Sequence, residues 1–234
     1  MKFVDDNLSC CKQHVYVFSR AKPLKELPKM KIGHAERVLG VEGKPALYLI
    51  SMKYKVILGQ PLEETSLEFL WPFRLDIMRG CLIVRFVVLE KNISSHFHGR
   101  PSYIAGRNVE EQSILQQVTN SFAGNLNPVD LQKGIKKLWQ NGFVDATRTR
   151  YKKPTSTAAE AMDKQKGIKK NNPELYKTVL KSPLFKTLFQ IQSENGSSVS
   201  VFWAEPSAGS LSFPRYSNRR GDTDHVIDEI LRNN

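Results

Sequence analysis

The chain has 234 residues, 40% of them hydrophobic and 25% charged, with a formal net charge of +12. That length can bury a sizeable core, and the composition is that of a soluble globular protein, not a disordered one. The basic surplus favours polyanionic partners and says nothing about fold.

The opening "MKFVDDNLSCC" places acids where a signal peptide carries positive charge. No window is apolar over the roughly eighteen residues that a membrane helix requires. A cytoplasmic protein with no membrane partner is expected. Cys10 and Cys11 are adjacent and Cys81 stands alone, which is neither a disulfide framework nor a Cys-x-x-Cys metal pattern. Reduced, structural cysteines are expected.

The first hundred or so residues read as strands. "HVYVFS" (His14 to Ser19), "ALYLISMKYKVIL" (Ala46 to Leu58) and "CLIVRFVVLE" (Cys81 to Glu90) are rich in β-branched and aromatic residues. The last is apolar on both alternating faces apart from Arg85 and Glu90, as in a strand covered on both sides. Buried there, Arg85 needs a partner, and Asp76 or Glu68 can serve. Between these strands, Glu63 to Leu70 predicts a short helix that stops before Pro72.

From Val109 the hydrophobic period changes to that of a helix. Ile114, Leu115, Val118 and Phe122 share a face, with Asn108 as N-cap and Gly124 as stop. Asn127 and Pro128 then supply a cap and first turn for a second helix. In it, Leu131, Ile135, Leu138 and Trp139 oppose Lys133, Lys136, Lys137 and Gln140. Gly142 ends it, and "FVDATRTRYKK" alternates as a strand, with Val144, Ala146, Arg148 and Arg150 on one side. Thr157 to Glu160 has capping-box spacing ahead of a lysine-rich helix. Pro173 and Pro183 each read as helix starts, so that Leu184, Phe185, Leu188 and Phe189 face a core. The tail predicts a hairpin turning at "EPSAG" and an acidic helix from Asp222 with Val226, Ile227, Ile230 and Leu231 on one face.

The class expected is α+β: a β-rich domain over 1–107, then a helical basic domain over 108–234 closed by a hairpin and an acidic helix. Charge concentrates in the second part. Lys133 to Lys181 holds thirteen basic residues against four acidic ones. Arginine forks and threonine hydroxyls suit phosphate oxygens, so Lys133, Lys136, Lys137, Gln140, Arg148, Arg150, Lys152 and Lys153 are the candidate nucleic-acid-binding residues. Trp139, Trp203, Phe202 and Phe213 offer stacking faces for single strands. Alternating Val199, Val201 and Trp203 more often mean a core-facing strand.

The order helix, turn, amphipathic helix ending in "LWQNGFV", then basic strand, over Val109 to Lys153, resembles a winged-helix module. At this coarse level it is similar to accessory subunits of chromosome-maintenance-type ATPases, including those of bacterial anti-phage and anti-plasmid complexes. That resemblance implies Lys133, Lys136, Lys137 and Gln140 toward a DNA groove, and Arg148, Arg150, Lys152 and Lys153 on a wing. A wing requires a return strand, and the stretch after Lys153 reads as loop and helix, so the Val199 or Leu211 hairpin would have to supply it.

The leading expectation is non-catalytic binding of nucleic-acid backbone, DNA before RNA, by an accessory subunit with protein partners. Two other classes remain. His96 and His98, with Asp76 or Glu90, can form part of a metal-dependent nuclease or phosphoesterase, although a hydrolytic metal needs three or more ligands and none is adjacent. The basic face can equally meet an acidic protein in a pure scaffold. No catalytic residue, cofactor or metal ligand is assigned: "GVEGKP" lacks phosphate-loop spacing, and "VLEKNI" lacks the nuclease Glu-x-Lys.

Overall fold

The computed structural model describes residues 12–28, 30, 32, 36–39, 45–58, 63–87, 107–153, 155, 158–163, 167–192, 201–214 and 222–234. For 36–39, 51–58, 63–70, 107–110 and 222 it describes the backbone alone. The chain divides into a central unit, Phe18–Asn127, and a composite unit made of Met1–Val17 with Pro128–Asn234.

The central unit is an antiparallel run of four strands in the order β2 (Glu36–Leu39), β3 (Ala46–Leu58), β4 (Glu63–Met78) and β5 (Cys81–Val87), joined later by helix α1 (Arg107–Ser121). β3 and β4 pair without interruption from Ala46↔Leu75 to Leu58↔Glu63. That pairing overturns the expected helix over Glu63 to Leu70, because a ladder along the whole of β3 outweighs local propensity. Pro72 has no N–H for a ladder, and the β4–β5 pairing begins one residue later at Phe73↔Phe86. Tyr48, Phe73 and Phe86 stack across three strands at centroid distances of 4.9 and 5.7 Å, and Trp71 packs on Phe86. Ile114, Val118 and Phe122 of α1 are buried, at the spacing read from the sequence. Asp76 forms its ion pair with Arg74 at 3.1 Å.

The composite unit contains six strands in the order β1 (Gln13–Ser19, to Val17 in this unit), β11 (Ser210–Phe213), β10 (Val201–Glu205), β9 (Leu184–Ile191), β7 (Val144–Lys152) and β8 (Ala158–Met162). A two-residue bridge, β6 (Asn127–Pro128), precedes it in the chain. Its helices are α2 (Gln132–Gln140), the short α3 (Ile168–Asn171), α4 (Pro173–Lys181) and α5 (Asp222–Arg232). The β10–β11 hairpin turns through Pro206–Ala208 and Gly209, whose φ of 62° is left-handed. A Cβ there would lie 2.7 Å from the Val17 carbonyl oxygen, so the position requires glycine.

The expected helical basic half with a winged-helix module is thereby overturned, and only the broad α+β class survives. Three of the segments in question are strands of one antiparallel sheet. β7 is paired on both sides, with β8 and with β9, whereas a wing is a free hairpin. Ala158–Met162, expected to begin a lysine-rich helix, returns beside β7 and inserts Ala161 into the core. Leu184–Ile191, also expected as a helix, satisfies both periods in its Leu and Phe positions. Thr187 decides between them: it is fully buried opposite Thr149, and their hydroxyl oxygens are 2.7 Å apart. Phe185 is instead exposed. The second helix begins at Gln132, not at Pro128. Pro173 does start α4, and Asn172 caps it by accepting the Leu175 N–H at 3.0 Å.

The core lies on one face of this sheet. Phe189, Phe202 and Phe213 stack across adjacent strands at 5.4 and 5.6 Å, and Trp139 of α2 meets Phe189 edge-on at 5.6 Å. Trp139 donates its indole N–H to the buried Asp145 at 2.9 Å. Asp145 also accepts the Lys169 N–H at 3.0 Å, tying the start of α3 to β7. Val226, Ile227 and Ile230 of α5 are buried as the sequence predicts. Among the described residues no helix is long and apolar enough to cross a membrane.

Candidate nucleic-acid interface

Strand register separates the composite sheet into two faces. One row across it runs Ala161, Thr149, Thr187, Ala204, Leu211 and Val15, all buried. The adjacent rows point the other way. One carries Met162, Arg148, Leu188, Trp203, Ser212 and His14, and the next carries Glu160, Arg150, Lys186, Glu205, Ser210 and Tyr16; none of these is buried. Among the described residues this second face is open, and the basic residues of β7 stand on it.

A break in register places them there. Between Ala146 and Arg148 the β7–β9 pairing shifts by one residue. Val144 and Ala146 consequently turn to the core while Arg148, Arg150 and Lys152 turn outward. Strict alternation had grouped Val144 and Ala146 with the arginines, and the irregularity at Thr147 undoes that grouping.

Arg148, Arg150, Glu160, Lys186 and Trp203 line a shallow depression of about 250 Å³ on the open face. Arg148 pairs with Glu160, and Lys186 pairs with Glu205 at 2.6 Å. The side chains in both pairs are 45–53% exposed. Ion pairs so wet contribute little and exchange readily for a phosphate. The Lys186 ammonium also rests 5.7 Å from the centre of the Trp203 ring. Arg150 makes no ion pair among the described residues and lies between Glu160 and Lys186 in the register.

The other candidates lie elsewhere. Lys133, Lys137 and Gln140 are exposed on α2, and Lys136 is half-buried. Burial lowers the Lys136 ammonium below its ordinary pKa, with Asp130 pulling the other way. Since Trp139 of the same helix packs on Phe189, α2 covers the core face, and its lysines stand on the opposite side of the sheet from Arg148 and Arg150. The structure therefore gathers Arg148, Arg150 and Lys152 with Lys186 and Trp203, and does not bring the α2 residues to them. Lys153 follows β7 and is exposed.

No protein-family model, curated protein or solved structure matches the chain.

Several charges counted in the basic segment have structural work. Lys169 donates to the carbonyl oxygens of Trp139 and Gln140 at 3.1 and 2.9 Å, closing the end of α2, where cations are favoured. Lys170 donates to Gln192 and Lys177 pairs with Glu174. Lys186 escaped the sequence reading because its strand was read as a helix; the alternation of Lys186 and Leu188 with Thr187 and Phe189 was the available signal. Of the four aromatic stacking candidates, Trp139, Phe202 and Phe213 are core, and Trp203 alone is on the open face.

His96, His98, Glu90, Cys10 and Cys11 lie outside the described residues. Among the described residues no group of three His, Cys, Asp or Glu is placed to hold a metal.

Proposed function

We propose that the protein binds the sugar-phosphate backbone of nucleic acid non-catalytically, through the open face of its composite sheet. One observation carries the reading: Arg148, Arg150, Lys152 and Lys186 stand together, with Trp203, on a sheet face whose reverse is the core. Guanidinium forks bind phosphate oxygens in pairs, and the chain's charge of +12 supplies a long-range field for polyanions.

The test is a salt series of binding to labelled nucleic acid for wild type, Arg148→Glu/Arg150→Glu, and Lys133→Glu/Lys137→Glu. The arginine variant binds more weakly, with a log–log salt slope shallower by roughly 0.7–0.9 for each phosphate that is no longer neutralised. The lysine variant changes affinity less, and by a uniform electrostatic amount. Equal losses in both variants place the binding surface elsewhere, and absence of binding at low salt in the wild type removes the reading.

A further inference from the structure

We infer that the open face takes single-stranded nucleic acid in preference to duplex, with a base stacked on Trp203; the inference rests on the backbone-binding reading above. Shape argues first. Six strands spaced about 4.8 Å apart make a face roughly 24 Å across, about twice the ~12 Å width of the DNA major groove. The β7–β8 ribbon could fit such a groove alone, but β9 is paired along its other side, so among the described residues no narrow element projects from this sheet. A single strand has no groove to enter and can lie on a flat surface with its bases turned inward.

Chemistry argues second. Trp203 is flanked in its row by Leu188, with Arg148 beyond, and Lys186 lies diagonally beside it. The cluster thus sets phosphate-binding cations around one accessible aromatic ring, the combination that single strands use and that duplex, with its bases stacked internally, cannot. The Lys186 ammonium over the ring sits at the end of a flexible chain that is 53% exposed. A base replaces it on the ring as it swings to the neighbouring phosphate.

The protein carries its own reporter. It has three tryptophans, of which Trp71 is 2% exposed and Trp139 is 0% exposed. Stacking on Trp203 therefore quenches the only tryptophan that solvent reaches. The experiment titrates the full chain with oligothymidylate, oligouridylate and a duplex of equal length. Intrinsic fluorescence reports stacking, and anisotropy of end-labelled strands reports affinity. Trp203→Leu and Trp203→Phe are run beside wild type. Expected are tighter binding of single strands, a quench with single strands alone, and single-strand affinity about 5- to 150-fold weaker in Trp203→Leu. Trp203→Phe, which keeps a π face, stays near wild type, and duplex affinity does not depend on residue 203. Binding of single strand and duplex alike, without quench and unchanged in Trp203→Leu, overturns the inference and leaves backbone binding in place. Binding of neither overturns both. The quench is read in wild type, so its outcome stands even where a variant folds poorly.

Discussion

Gly134 sits inside α2, where replacement of glycine by alanine ordinarily stabilises a helix by about 0.8–1.0 kcal/mol. Its surroundings reverse the expected sign. A Cβ at this position would lie 2.1 Å from the carbonyl oxygen of Ile230 in α5, nearly 1 Å inside the 3.0 Å that real Cβ atoms respect. The obstruction is backbone, so α2 and α5 must separate as whole helices. Separation lifts Ile230 from the core and strains the bond in which the Gly134 N–H donates to the Asn234 side-chain oxygen at 3.1 Å. Overpacking of this kind costs about 1–3 kcal/mol, and weakening that hydrogen bond adds about 0.5–1.5 kcal/mol. Set against the propensity gain, Gly134→Ala loses roughly 1–3 kcal/mol. For a chain of this size that corresponds to a fall in Tm of about 2–4 °C per kcal/mol. Thermal and urea unfolding followed by circular dichroism and by tryptophan emission measures it, since Trp139 in the same helix reports directly. A variant as stable as wild type, or more stable, refutes the close approach of the two helices.

Three further outcomes follow from buried groups. Thr149→Val leaves the Thr187 hydroxyl without its 2.7 Å partner in a fully buried setting and costs about 1–3 kcal/mol; the double variant Thr149→Val/Thr187→Val recovers most of that loss, and a double-mutant cycle by urea unfolding that shows simple additivity contradicts it. Asp145→Ala strands the Trp139 indole N–H and the first α3 amides and costs about 2–4 kcal/mol, read as a lowered urea midpoint with altered Trp139 emission. Burial pushes the half-buried Cys81 thiol above its ordinary value of 9.0. The folded chain therefore holds that proton where the unfolded chain releases it, and the stability difference appears only as pH rises through and above 9.0. Near about pH 8.5, where a free thiol is partly ionised and reactive, iodoacetamide labels Cys81 more slowly in the folded protein than in urea, by mass spectrometry of its peptide. Equal rates contradict the burial.

Elements that combine a clear period with a chemical stop were legible in the sequence. β3 runs from Ala46 to Leu58 as read, Gly124 and Gly142 close their helices with φ of 69° and 79°, and Asn172-Pro173 opens α4. The failures share one cause, namely that short segments whose apolar residues fit both periods are decided by partners distant in the chain. "EETSLEFL" is drawn into a strand by β3, "AAEAM" by β7, and "LFKTLFQI" by β7 and β10 together. The candidate surface divides along the same line. That Arg148, Arg150 and Lys152 share one face follows from alternation within one strand. Which side of the sheet α2 covers depends on Trp139 meeting Phe189, fifty residues downstream, and local sequence carries no trace of that. The register break at Thr147 is likewise a property of the pairing with β9.

The β1–β11 pairing joins Val15 to Leu211, about two hundred residues later. At about 5–20 residues per second of synthesis, β1 waits roughly 10–40 s for its neighbour. The intervening Phe18–Asn127 can meanwhile complete its own packing. Until β11 arrives, Val15 lacks Leu211, its partner in the finished ladder. The speed of the ribosome and the attention of chaperones to one short N-terminal strand thus become part of how this chain reaches its fold.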